Sequence, residues 1–145
     1  MTRVHIANRQ KAAPVDRALM RRAARAVLAG EGVADAEISL VFVDDAESAR
    51  VNETFLQHDG PTDVITFPLE DEPLQGELIV GVPVAAREAA ARGHEISAEL
   101  ALYVIHGVLH LCGYDDKKAG PRKRMRAREA LYLHQLGLPA IAERT

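Results

Sequence analysis

The chain has 145 residues, 48% of them hydrophobic, enough for one ordinary globular domain spanning residues 1–145. No apolar run approaches the roughly 20 residues that cross a bilayer, and the opening MTRVHIANRQ has no apolar export core, so neither a membrane role nor secretion is expected. Cys112 is the only cysteine, which excludes an internal disulfide and fits a reducing cytoplasm.

Val4 and Ile6 alternate with His5 as in a short strand. Pro14 suits a first helical turn, and Val15, Leu19, Ala23 and Val27 then recur at helical spacing up to Gly30. Arg17, Arg21 and Arg25, with Arg22 beside them, are read as a solvated face of that helix. Glu37 to Asp44 is a buried strand by its β-branched and aromatic content. Asp45 is the expected cap of a helix from about Ala46 to Leu56, and Gly60-Pro61 breaks the chain before a strand starting at Asp63. Glu70 to Pro73 reads as a surface connection, Gly76 to Val82 as a fourth strand, and Val84 to Arg92 as an alanine-rich helix. Ser97 is the expected N-cap of a helix reaching Cys112. A last helix runs from about Pro121 to Leu136 and ends at Gly137. The sum is an α/β (α+β) fold: a small mixed four-stranded sheet, about five helices, and the helix ending at Cys112 in the centre.

The chemistry concentrates between His106 and Asp116. Residues of a helix advance roughly 100° each, so His106 and His110 stand one above the other and both rings can reach one metal ion. Ala101, Val104, Ile105, Val108 and Cys112 form an apolar stripe on nearly the opposite side, so the imidazoles need not interrupt it. Gly113 falls where a helix end takes a left-handed residue. The reversal there carries Tyr114, Asp115 and Asp116 back toward the histidines. Asp116 is the expected third ligand, with Asp115 as its rival. Three protein ligands leave a position open for water, as in catalytic zinc sites, where the metal lowers the pKa of that water toward neutrality. The spacing is also similar to the long zinc motif of metzincin proteases. That motif places a glutamate general base after its first histidine, and Gly107 stands there instead. His5, His58, His94 and His134 show no such constellation and are read as surface or packing residues.

A basic run follows at once. Lys117, Lys118, Arg122, Lys123, Arg124, Arg126 and Arg128 are seven of the 18 Lys and Arg residues, within twelve positions free of acid. The remainder of the chain holds eleven basic against 21 acidic residues. An acidic body with one basic segment beside a metal site points to a polyanion such as RNA. Lys117, Lys118, Arg122, Lys123, Arg124 and Arg126 are the expected phosphate contacts.

The stretch from His106 to Asp116 (HGVLHLCGYDD) resembles the signature HGxLHLxGYDH of the YbeY family of single-strand-specific, metal-dependent endoribonucleases. Asn52 to Phe67 (NETFLQHDGPTDVITF) is similar to that family's second block, roughly N-x-x-Y-R-x-x-D-x-P-T-D-V-L-S-F, and Gly76 to Gly81 to the strand after it. The resemblance implies zinc on three histidines, 3′-end maturation of small-subunit ribosomal RNA, and ribosome quality control. It also implies that Asp115 matches the family's own aspartate, in a supporting role. Two positions depart from the pattern. Asp116 replaces the third histidine, giving a two-histidine, one-carboxylate set that suits iron or manganese as well as Zn2+. Leu56 replaces an arginine, removing a cation from the phosphate's surroundings. The competing reading is therefore an RNA- or ribosome-binding assembly factor that retains a metal and cleaves weakly. A non-haem iron oxygenase ranks last, since no jelly-roll strand pattern is present.

Overall fold

The computed structural model describes residues 1–142. Strands β1 (Thr2–Arg9), β2 (Ala36–Val43), β3 (Val64–Asp71) and β4 (Leu74–Gly81) form one sheet in the order β1-β2-β4-β3. The first three strands in that order are parallel, and β3 runs antiparallel along the edge. Helices α1 (Arg17–Gly30), α2 (Asp45–Val51), α3 (Val82–Arg92), α4 (Ile96–Leu111) and α5 (Ala119–Gln135) complete the fold. The expected mixed four-stranded sheet with five helices is what the chain forms.

Strand side chains alternate between faces. Ile38, Leu40, Phe42, Leu78 and Val80 face the helices and share one core with Leu19, Met20 and Val27 of α1. Val41, Val43, Ile65 and Ile79 face the other way, with Val51 and Phe67 packed against them. Helix α4 lies against α1, α3, α5, β3 and β4. From Ala98 to Leu109 every residue of it is buried except His106. A helix apolar nearly all round is a core helix, so the stripe expected on one side extends around most of the circumference. Gly107 makes the close approach possible: a Cβ there would sit 2.4 Å from Leu78 Cδ2.

Three helix starts differ from expectation. Helix α1 is capped by Asp16, which accepts from Leu19 N at 3.0 Å. Pro14 stays outside because the Gln10 side chain holds the preceding turn, accepting from Ala12 N and donating to Ala13 O. Asp44, not Asp45, caps α2, accepting from Glu47 N at 2.9 Å. Ser97 lies inside α4, whose first carbonyl acceptor is Glu95. The helix expected to reach Leu56 is α-helical only to Val51 and continues as a π-helical turn, Asn52–Leu56, closed by left-handed Gln57. Buried Asn52 donates to Gly60 O, and Ser48 exchanges hydrogen bonds with Thr62. These contacts pin the following loop and widen the last turn, the sort of local bulge common at functional sites.

Candidate metal centre

Helix α4 sets the two histidine rings edge to face, their centroids 4.6 Å apart. Gly113 takes φ of 100°, and Tyr114 N returns to Leu109 O at 3.1 Å. The expected reversal is therefore present, and it delivers Asp116 to the histidine face. His106 Nε2 lies 3.1 Å from His110 Nε2 and 3.3 Å from Asp116 Oδ2, while His110 Nε2 is 3.7 Å from Asp116 Oδ1. One ligand atom from each residue falls within 4.8 Å of the others. Donors bound to one tetrahedral ion at roughly 2.0–2.2 Å would be separated by roughly 3.3–3.6 Å.

What lies behind each ring selects its orientation and tautomer. His106 Nδ1 meets Glu129 Oε2 at 2.6 Å, and this fully buried carboxylate also accepts from Arg126 at 2.9 Å. His110 Nδ1 meets the Tyr114 carbonyl at 3.0 Å. The Tyr114 carbonyl and an ionised Glu129 are acceptors, so a proton on each Nδ1 satisfies them and leaves each Nε2 lone pair for an ion. Burial, then neighbouring His106, holds His110 below the usual imidazole range against the opposing pull of Asp116. Two lone pairs and a carboxylate thus converge on one point. A divalent cation fits that donor set, and the outer hydrogen bonds are those that orient metal-bound histidines.

The site opens into a cleft of about 440 Å³ whose walls include Leu56, Thr66, Pro68, Leu111 and Lys117. Asp115 faces elsewhere: its Oδ1 accepts from Lys117 N at 3.0 Å, and it lines a separate hollow with Arg124. Thr62 and Asp63 bond to each other, to Ser48 and to Val64 N, as turn residues do. Burial and then Glu31 push the Cys112 thiol up to about 11, leaving it protonated and unreactive.

The basic run is divided. Lys117 is at the cleft, Lys118, Lys123 and Arg124 are exposed, and exposed Arg122 ties the loop by donating to the Asp116 and Lys117 carbonyls. Arg126 turns inward to Glu129, and Arg128 to Glu31. Glu31 also accepts from the hydroxyls of Tyr114 and Tyr132, a cluster that anchors the turn carrying His110's acceptor. Sequence reasoning missed Glu129. Its signal is an acid in the buried register of α5, with Met125, Tyr132 and Leu133.

The family model for Endoribonuclease YbeY matches residues 5–137. The chain is 41% identical to the Endoribonuclease YbeY of Moorella thermoacetica, with 92% of this chain and 96% of that relative covered. It is 39% identical to the one from Pelotomaculum thermopropionicum, covering 93% and 97%. A solution structure of a Thermotoga maritima protein superposes with a TM-score of 0.66 at 27% identity, covering 94% of this chain and 89% of that one. Matched in sequence over nearly its whole length, this chain belongs to the Endoribonuclease YbeY family.

Proposed function

We propose that this chain is a metal-dependent endoribonuclease of single-stranded RNA, acting in the cytoplasm on the 3′ end of small-subunit ribosomal RNA and in ribosome quality control. The observation that carries the reading is the convergence of His106 Nε2, His110 Nε2 and Asp116 at the floor of an open cleft. Zn2+ is the first-choice ion, and the mixed donor set also accommodates iron or manganese. We read the chain as a single metal-hydrolase domain, the 1–145 unit expected from its length.

When bound, the metal supplies Lewis acidity, toward water or toward the phosphoryl oxygens. The protein's own groups do the rest. Glu129 and the Tyr114 carbonyl hold the two rings in the tautomer and orientation that present lone pairs. Lys117, on the cleft wall, places an ammonium near the phosphate path. Leu56, the last residue of the π-helical turn, lines the same cleft and places no charge there. Asp116 is the one carboxylate among the described cleft residues. Among the described cleft residues no further carboxylate or imidazole is left over as a separate general base, so activation of the nucleophile would fall to a metal held by His106, His110 and Asp116.

The test is cleavage of an unstructured RNA by purified protein, before and after chelation and with defined metals restored. Loss on chelation, recovery on re-addition and sparing of a duplex of the same sequence are expected. Analysis of product ends shows whether water or the 2′-hydroxyl attacks. Cleavage that survives complete metal removal would overturn the proposal.

A further inference from the structure

The chain has three phenylalanines and no tryptophan. Phe42 is fully buried in β2. The other two stand together at the surface: Phe55, on the π-helical turn, is 62% exposed and packs edge to face on Phe67 of β3, with centroids 5.3 Å apart. Leu56, next to Phe55 in the chain, is 43% exposed, and Leu69, two residues beyond Phe67 on the same edge strand, is 62% exposed. Three of the five exposed large apolar side chains among the described residues thus lie on the π-helical turn and on edge strand β3. Clustered apolar exposure is one mark of a binding surface.

Its position supplies the occupant. β3 is an edge strand, and Thr66 and Pro68 line the metal cleft while Phe67, between them, faces the other side. Leu56 likewise lines the cleft, and Phe55 beside it covers Phe67. The aromatic pair therefore lies just across the edge strand from His106 and His110, with Lys117 on the same cleft wall as the donors. Cationic grooves with adjoining aromatic rings are how proteins hold single strands, because every base offers a π-face to stack on. We infer that Phe55, backed by Phe67, is a stacking platform for a nucleobase of single-stranded RNA, next to the phosphate held in the metal cleft. The inference rests on the endoribonuclease reading. It would also give the proposed single-strand preference a physical basis: a duplex keeps its base faces stacked inside and has none to offer the ring.

The experiment measures binding of the metal-loaded full chain to a short 2′-O-methyl oligouridine, which resists cleavage, and to an abasic strand of the same length. Phe55→Ala should weaken oligouridine binding on the order of tenfold and leave the abasic strand unaffected. Phe55→Trp should keep the affinity, and because the chain has no other tryptophan, its fluorescence should be quenched by oligouridine and not by the abasic strand. Equal losses on both strands, or no loss and no quenching, would overturn the stacking site while leaving the endoribonuclease reading standing. A change in sedimentation with Phe55→Ala, without a change in binding, would assign the patch to contact between copies instead. A wild-type chain that binds neither strand would overturn the RNA-cleaving reading together with this site.

Discussion

Helix α4 is flanked by two triads of the same composition. Near its start, buried Glu99 receives His94 Nε2 at 2.5 Å and Arg92 at 3.3 Å. Near its end, buried Glu129 receives His106 Nδ1 at 2.6 Å and Arg126 at 2.9 Å. The first is closed. The His94 side chain is 8% exposed, and Arg92 also donates to the Ile141 carbonyl. The second is open, because the far nitrogen of His106 faces His110, Asp116 and the cleft. A buried glutamate joined to histidine and arginine is thus a structural fastening in both places. What distinguishes the candidate site is the direction of the second nitrogen and the company it meets there.

The largest effects should come from cutting each fastening. Glu99→Ala and Glu129→Ala each take a buried carboxylate away from a histidine and a part-buried arginine, and breaking such a pair costs up to about 3–5 kcal/mol. Denaturant unfolding should show similar losses for the two. Only Glu129→Ala should also weaken metal binding, by roughly 10- to 100-fold, since it frees an outer partner of a ligand. Equal metal affinity in both variants would erase the distinction between the triads. Next comes the donor set at the open triad. Leu56→Arg with Asp116→His should raise single-turnover cleavage of an unstructured RNA, because one cation aimed at developing charge is worth on the order of 100-fold. Asp116→His alone should gain less. A wild type already as fast as the double variant would show that neither departure matters and that another cation, such as Lys117, serves the phosphate.

A smaller effect separates fastened arginines from free ones. Neutralising Lys117, Lys118, Lys123 and Arg124 should flatten the salt dependence of RNA binding by roughly 0.7 in slope for each phosphate that is no longer neutralised. Arg126→Met should leave that slope unchanged while lowering stability, because its guanidinium is engaged with Glu129. The smallest change is Tyr114→Phe. It removes the hydroxyl bond to Glu31, worth about 1 kcal/mol, and keeps the carbonyl that orients His110, so the melting temperature should fall slightly with metal affinity intact.

The parts of the site legible in the sequence are local. His106 and His110 are one turn apart, and Gly113 announces the reversal that brings Asp116 back. Glu129 comes from another helix, 23 residues beyond His106, and its meaning depends on how α5 packs on α4. The inward turn of Arg126 and Arg128 was hidden for the same reason. In the sequence they belong to a basic run, and only the fold supplies Glu129 and Glu31 as partners. β1 was readable from alternation and β2 from β-branched and aromatic content, while β3 runs on to Asp71, into residues read as a surface connection. Caps and the π-helical turn were not readable, because Gln10, Asn52 and Ser48 decide them through side-chain bonds to nearby loops.

The most direct test of the metal centre is a titration of metal-free protein with Zn2+, with bound ion counted per chain in wild type, His106→Ala, Asp116→Ala and Asp115→Ala. The geometry predicts one tightly bound ion in the wild type and in Asp115→Ala, with stoichiometric binding lost in the other two. Full binding by Asp116→Ala together with its loss in Asp115→Ala would contradict the ligand assignment on which the proposed function stands.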